Sequence, residues 1–360
     1  MHRCIILSIC GIYSIEVIKL KKKVLMLLFA LGMAIGFLLY SKELSAAVYQ
    51  SLKLCGTAVI PALFPMFVAS KLLCSIFSAF TLPKGFQKAW SRLFGLSGES
   101  AYAFFLGLLG GYPLGVSVIC RIYQNKLLSR REAEQAIALC NNSGPGFFAA
   151  AIGAKVLGSI KAGMILYGLH ILSAVITGFL YAKNPKEKSL YPSVIKHNCD
   201  SSLLQAIQES CAALLNICAL VTFFNALICI ITCSGLFDLL LFLPESISVA
   251  DLKSLIHGSL ELTGGILSLK DSENAFILSA ILMGWGGLCV HSQAKFLWTE
   301  VQLCPKGYYL HKLTQAFISA CLAWAFTAGL LPILFVILFP LCFFLYFFRN
   351  QAGKRRKYAL

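Results

Sequence analysis

Long, nearly uncharged apolar runs place the strongest constraint on what this chain can fold into. The runs 24–40, 160–182 and 212–232 together hold a single charged residue, Lys161. Each run reaches or approaches the roughly 20 residues that a helix needs to cross the hydrocarbon core of a bilayer. These segments predict an all-α, polytopic membrane protein whose chain crosses the bilayer many times.

Composition leads to the same class of protein. Apolar residues make up 58% of the chain and charged residues 13%, whereas a soluble domain has about 45–50% and about 25%. So much apolar surface needs lipid as its solvent. The lipid bilayer is therefore an expected partner, and a soluble enzyme is not expected.

The formal net charge of +16 would suggest nucleic-acid binding in a soluble protein. Here the basic residues lie between the apolar runs, which is typical of the positive-inside rule for loops. No basic face interleaved with aromatic residues is present, so a nucleic-acid partner is not expected. The connections 84–92, 121–131 and 183–196 should then share one side of the membrane. A second group fits the opposite side and is acidic: Asp238, Glu245 and Asp251.

The fifteen cysteines are scattered, mostly within apolar runs, and no two form a Cys-x-x-Cys pair. Neither a zinc site nor a disulfide framework follows from such spacing. A buried cysteine behaves as a small apolar residue, so packing in a reducing compartment explains their number. We expect no metal and no cofactor.

Four parts of the chain follow from the pattern of runs and charges. Residues 1–23 form an amino-terminal extension with a basic flank, whose first 18 residues fit a signal-like segment, an extra span or a misassigned start. Residues 24–200 form a first transmembrane repeat with a leading helix, and residues 201–348 form a second. Residues 349–360 form a basic tail.

The two repeats share a sequence of features. A helix at Val48–Leu73, broken by Pro61 and Pro65, precedes the glycine-rich segment 107–115, and a helix at Leu203–Ile231 precedes the glycine-rich segment 284–287. In this alignment Ala46 corresponds to Leu203, and Gly110 to Gly284 or Gly286. With the amino terminus inside, the second repeat is inverted relative to the first. We interpret both glycine-rich segments as broken helices or re-entrant hairpins.

A polar break in the first repeat is the strongest candidate for a binding site. Ser129 and Glu132 fit a capping box at a helix start, and the helix should end at the polar segment 141–146. Two amides and a hydroxyl inside apolar sequence are costly unless they face a cavity or a ligand. The alternative is an ordinary loop at the membrane surface. We predict that substrate is bound here by Asn141, Asn142, Ser143 and Gly144, with Gly110, Gly111, Tyr112, Pro113 and Gly115 at the same depth.

The second repeat offers a matching set of candidates. An amphipathic helix that begins near Asp251 ends at a carboxylate, and hydrogen-bonding side chains follow the second glycine break. An ionisable residue at membrane depth is a functional candidate, although Glu261 could instead be an interfacial carboxylate paired with His257, and His291 a structural histidine. Trp285 could equally be an interface anchor. The candidate substrate-binding residues are Glu261, Thr263, Gly284, Trp285, Gly286, Gly287, His291, Ser292 and Gln293.

At these residues the chain resembles a known family. The stretches that carry the resemblance are GLLGGYPLG at 107–115, SRREAEQAIALCNNSGP at 129–145, ELTGGI at 261–266 and GWGGLCVHSQ at 284–293. They resemble the sporulation integral membrane proteins of the YlbJ, or SpoVV, family, within the wider group that carries the nucleoside-recognition, or Gate, domain. The resemblance implies a protein of endospore-forming bacteria in the membrane around the forespore, which passes dipicolinic acid toward the spore. It also implies an inverted-repeat fold like that of the concentrative nucleoside transporters.

The residues alone leave the solute open. Dipicolinate, a flat aromatic dianion, needs donors for two carboxylates and a slot for its ring, and the amides, hydroxyls and aromatics above suit it. A nucleoside would use much the same groups. A non-transporting membrane scaffold for sporulation remains an alternative, and so does a homo-oligomer. An intramembrane enzyme is not expected, because the chain has neither a His-Glu-x-x-His nor a Gly-x-Ser-x-Gly pattern.

Overall fold

The computed structural model describes residues 21, 23–77, 82–182, 203–237, 239 and 248–332, and no strand occurs among them. The predictions for residues 1–18, for the connection 183–196, for Asp238 and Glu245, and for the tail 349–360 lie outside these residues. The helices are α1 Lys23–Leu39, α2 Ser41–Leu54, α3 Ile60–Phe77, α4 Lys84–Phe94, α5 Glu99–Gly110, α6 Leu114–Gln124, α7 Arg130–Cys140, α8 Pro145–Phe147, α9 Ile160–Leu180, α10 Leu203–Cys233, α11 Val249–Leu260, α12 Leu262–Leu267, α13 Ala275–Trp285, α14 Gly287–Glu300 and α15 Tyr308–Thr327. Two wider, π-helical segments are π1, Cys55–Val59, and π2, Phe148–Val156.

Several helices are long and apolar enough to cross a membrane. Within the described residues these are Ile160–Leu180, Leu203–Cys233 and Ala275–Glu300, the last of which contains both α13 and α14. The number rises to as many as five spans if two bent helix pairs each count as one. The chain bends by 100° between the helix Lys23–Leu39 and the helix Ser41–Thr57. The all-helical fold and the integral membrane character predicted from the sequence are confirmed.

Pro61 and Pro65 do not break their helix, contrary to the prediction. The chain stays helical from α2 through π1 and α3, and Pro65 lies inside α3. Proline removes one backbone donor and crowds the preceding turn. The wider turn of π1 lies directly before Pro61, where the Ile60 amide donates to the carbonyl of Cys55. A π turn relieves the crowding without ending the helix.

Both glycine-rich segments do break their helices. After α5, Gly111 takes a φ of +79°, and between α13 and α14 Gly286 takes +95°. A residue with a side chain rarely adopts such φ values, so glycine allows the backbone to turn at both places. In both places a new helix starts within three residues.

The central helices gather around the segment 141–144. Helices α9, α13 and α15 pack on one another, α15 also packs against α7, and α14 packs against α6. Between α9 and α15 the hydroxyl of Ser319 donates to that of Ser173 over 2.8 Å. The helix α10 covers α2 and α3, and Lys71 of α3 pairs with Glu209 of α10 at 2.5 Å.

Candidate functional site

The polar segment 141–144 lies inside the protein. The capping box that starts α7 is present, since the Ser129 hydroxyl accepts from the Glu132 amide and Glu132 accepts from the Ser129 amide. The helix ends at Cys140, and Asn141 has a non-helical φ of −86° and ψ of 86°. Asn141 and Asn142 are 0% exposed and Ser143 is 3% exposed. An ordinary surface loop, the alternative interpretation, is therefore wrong.

A hydrogen-bonded chain links this segment to the helices α14 and α15. The Asn141 side-chain amide donates to the hydroxyl of Tyr308 on α15 over 2.6 Å. That hydroxyl lies 3.0 Å from Nδ1 of His291 on α14. All three side chains are buried, so the segment and both helices share one interior polar cluster.

A buried lysine forms the second connection. Nζ of Lys312 donates to the backbone carbonyl of Asn141 and, over 2.8 Å, to the side-chain oxygen of Gln315. Gln315 in turn donates to the Asn142 side-chain oxygen over 3.1 Å. The side-chain amide of Asn142 donates to the backbone carbonyl of Leu139 over 2.7 Å. The ammonium thus lies against the carboxyl end of α7, where the helix dipole is negative.

The helix α9 also contributes a side chain to this cluster. The backbone amide of Ser143 donates to Nε2 of His170 over 3.4 Å. His170 is buried, and its ring packs 5.2 Å from that of Phe148. We call the set Asn141, Asn142, Ser143, His170, His291, Tyr308, Lys312 and Gln315 the polar cluster.

Three buried polar atoms of this cluster have no hydrogen-bond partner in the described part of the chain. They are Oδ1 of Asn141, Nδ1 of His170 and Nε2 of His291. Buried polar atoms are normally paired, and each unpaired atom costs about 1–3 kcal/mol. Unpaired atoms from three elements at one place are what a site for a polar ligand requires.

The two glycine breaks lie against this cluster and against each other. The hydroxyl of Tyr112, just after the first break, donates to the carbonyl of Met283, just before the second, over 2.9 Å. Gly144 approaches so closely that a Cβ there would lie 3.1 Å from the amide of Gly111. Gly110 and Pro113, the latter after a cis peptide bond, flank the turn. Gly284, Gly286 and Gly287 complete the second break, where a Cβ on Gly284 would meet the backbone of Ala316.

Glu261 and Thr263 lie at the start of α12 and do not join the polar cluster by any hydrogen bond among the described residues. Glu261 is 2% exposed. Its two carboxylate oxygens accept from the amides of Thr263 over 2.8 Å and Gly264 over 2.6 Å. The alternative that Glu261 pairs with His257 is wrong. Nε2 of His257 has no hydrogen-bond partner among the described residues, and neither ion pair found among them includes this histidine. Capping of the short helix therefore accounts for this buried carboxylate.

Replacing Glu261 by glutamine should lower the free energy of unfolding by about 1.5–3 kcal/mol. Glutamine has one acceptor oxygen where Glu261 uses two, and its NH2 group would face a backbone donor. Denaturant titration in detergent micelles measures the change. The matched control is Glu132→Gln, because Glu132 uses only Oε2 and glutamine also fits a capping box. Equal losses in the two variants would show that Glu261 does not act as a cap.

Ser292 and Gln293 are not gathered with His291. Successive residues of a helix are about 100° apart around its axis, so the three side chains point in different directions. Gln293 donates instead to the sulfur of Cys289 over 3.6 Å. Trp285 does lie beside the cluster: its ring centroid is 4.4 Å from that of His291, and its Nε1 donates to the Ser259 carbonyl over 3.2 Å.

Sequence reasoning missed four members of the polar cluster: His170, Tyr308, Lys312 and Gln315. A signal for two of them was present. Lys312, Gln315 and Ser319 recur every three or four residues within otherwise apolar sequence, so they share one face of α15. A buried ionisable residue in such a helix is a functional candidate. Among the described residues no group of three or more His, Cys, Asp or Glu side chains could hold a metal ion.

Comparison with known proteins gives a distant relative. The chain is 22% identical over 294 residues to the sporulation integral membrane protein YlbJ of Bacillus subtilis (strain 168), covering 73% of this chain and 72% of that protein. No family model matches the chain, and no solved structure does. The resemblance to the YlbJ family noted in the sequence motifs is therefore supported, at a distance, over most of the chain.

Proposed function

We propose that this chain, distantly related to the sporulation integral membrane protein YlbJ, transports a small polar or anionic solute across a bilayer during sporulation. The polar cluster carries the proposal. It joins a broken helix to side chains of α9, α14 and α15 and leaves buried polar atoms without partners. Transporters typically bind their substrate at broken helices within the membrane.

We also propose an internal repeat, for which the helix contacts give support. We pair α5–α6 with α11–α12, α7–π2 with α13–α14, and α9 with α15. The contact of α6 with α14 then corresponds to that of π2 with α12, and the contact of α7 with α15 to that of α13 with α9. The contact between α9 and α15 corresponds to itself, because the pairing exchanges these two helices. This proposed register pairs the polar break after Cys140 with the glycine break at Gly286, instead of pairing Gly110 with Gly284 or Gly286. We propose that the repeat is inverted.

Dipicolinic acid, carried across the membrane around the forespore, is the solute we propose. Its two carboxylates suit a site that holds a lysine ammonium, amides and imidazoles, and the aromatic rings of Trp285 and Trp298 border the cluster. A nucleoside is the second candidate, because it also pairs with amides. A scaffold that transports nothing would not need polar atoms held unpaired in its interior. We propose no enzymatic activity.

The test is uptake of labelled dipicolinate by proteoliposomes that contain the purified chain, with nucleosides as competitors. Saturable uptake is expected in the wild type. Asn141→Ala removes the side-chain NH2 group, which donates one hydrogen to Tyr308 and has a second to give to a solute oxygen. The loss of one hydrogen bond to a charged solute, at about 1.5–3 kcal/mol, should lower uptake roughly tenfold or more.

The matched control is Asn125→Ala, since Asn125 lies at the carboxyl end of α6 in the connection to α7. It should leave uptake unchanged. Wild-type vesicles that accumulate neither dipicolinate nor nucleosides would contradict transport. Uptake of nucleosides alone would preserve the site and overturn the choice of solute.

A further inference from the structure

We propose that Lys312 is the residue by which the site selects a carboxylate-bearing solute over a neutral one of the same shape. The inference rests on the proposed transport function and assigns the charge selection to one side chain. Lys312 is 0% exposed, so its ammonium acts inside the protein, where a charge interacts more strongly than in water.

The lysine has no counter-charge in the described part of the chain. Two ion pairs occur there, Lys71 with Glu209 and Arg130 with Glu134, and neither includes Lys312. A buried charge that lacks a partner of opposite sign is costly. An anionic ligand would supply the missing charge, which a neutral ligand would not.

Lys312 also has a donor to spare. An ammonium carries three N–H groups, and two of them reach the Asn141 carbonyl and Gln315. The third has no partner among the described residues. It can therefore point at a ligand oxygen without breaking either of the bonds that hold the side chain in place.

The neighbouring imidazoles add donors of the same kind. The Tyr308 hydroxyl accepts from Asn141, and among the described residues its own proton has no acceptor other than Nδ1 of His291. We therefore assign the ring hydrogen of that histidine to the unpaired Nε2. Nε2 of His170 accepts from the Ser143 amide, which leaves the hydrogen on the unpaired Nδ1. These tautomers follow from the hydrogen-bond pattern.

Among the groups of the cluster that can still form a hydrogen bond, donors outnumber acceptors. Of the atoms with no partner, two are donors, Nδ1 of His170 and Nε2 of His291, and one is an acceptor, Oδ1 of Asn141. The spare N–H of Lys312 adds a third donor. Carboxylates accept only, and a nucleoside base both donates and accepts. The excess of donors together with a buried positive charge matches a carboxylate, and Lys312 is the member that contributes the charge.

The experiment compares dipicolinate with pyridine-2,6-dicarboxamide, a neutral molecule of nearly the same shape. Both are measured as inhibitors of labelled dipicolinate uptake in proteoliposomes, and as ligands that raise the thermal unfolding midpoint of the detergent-solubilised protein. Wild type should favour dipicolinate. Lys312→Met and Lys312→Gln should each lower the preference by about tenfold or more, because a charged hydrogen bond is lost. Lys306→Met, at an exposed lysine six residues earlier, should keep the wild-type preference.

Each result decides the inference. Variants at Lys312 that transport with the wild-type preference would overturn it, and so would a wild-type protein stabilised equally by the dianion and the diamide. This second measurement needs no variant, so it stands even if the substitutions prevent folding. Failure of the proposed function is distinguishable, because then the wild type takes up neither dipicolinate nor nucleosides.

Discussion

Gly115→Ala is expected to prevent the protein from folding stably. Gly115 lies in the first turn of α6, and a Cβ there would overlap the backbone carbonyl of Cys140, at 2.8 Å from its carbon. Backbone cannot move aside as the end of a side chain can, so we expect a loss at or above the upper end of about 1–3 kcal/mol for overpacking. Yield of folded protein and denaturant titration in micelles measure it.

The control for this variant is Gly168→Ala, the same chemical change in the middle of α9. A Cβ at Gly168 has no neighbour within 4 Å. Alanine there should raise the free energy of unfolding by about 0.5–1 kcal/mol, because it restricts the unfolded chain. If both variants were equally stable, the close approach of α6 to the end of α7 would be refuted.

Tyr308→Phe should be almost as damaging, although it removes one oxygen atom. The Tyr308 hydroxyl is the partner of both the Asn141 amide and Nδ1 of His291. Phenylalanine would keep the ring packing and leave two more buried polar groups unpaired, at about 1–3 kcal/mol each. The sum is a large part of the about 5–15 kcal/mol that stabilises a typical protein.

The next residue provides the comparison. Tyr309 is 43% exposed, and Tyr309→Phe should change the free energy of unfolding by about 0.5 kcal/mol or less. Both variants are titrated with denaturant in the same detergent, and dipicolinate uptake is measured in parallel. A Tyr308 variant as stable and active as the Tyr309 variant would mean that the polar cluster is not bonded in this way.

Features encoded by neighbouring residues were predictable from the sequence. The capping box at Ser129, the end of α7 at Cys140 and the break at Gly111 each depend on a few consecutive side chains, and the structure has all three. The long helix α10 was predictable for the same reason, since its apolar run sets its length. Pro61 misled the prediction, because proline signals a missing donor but not how the preceding turn adapts.

The partners in the polar cluster were not predictable in the same way. The bond from Asn141 to Tyr308 joins residues 167 positions apart, and no local pattern specifies such a pair. Ser292 and Gln293 were included because they follow the glycine break in the sequence, whereas the helical turn directs them away from His291. Glu261 was judged by its charge, and its role depends on the two backbone amides that the start of α12 places beside it.

The same long separations have a consequence for biosynthesis. Asn141 and Asn142 obtain their partners on α15 only after more than 160 further residues have been made, the sequence separations being 167 and 173. At about 5–20 residues per second, the two amides wait roughly 10–30 seconds. Unpaired amides are costly in hydrocarbon, so we expect the segment after α7 to settle into the bilayer only once α15 has emerged from the ribosome. A chain cut before Tyr308 should remain loosely inserted and be degraded.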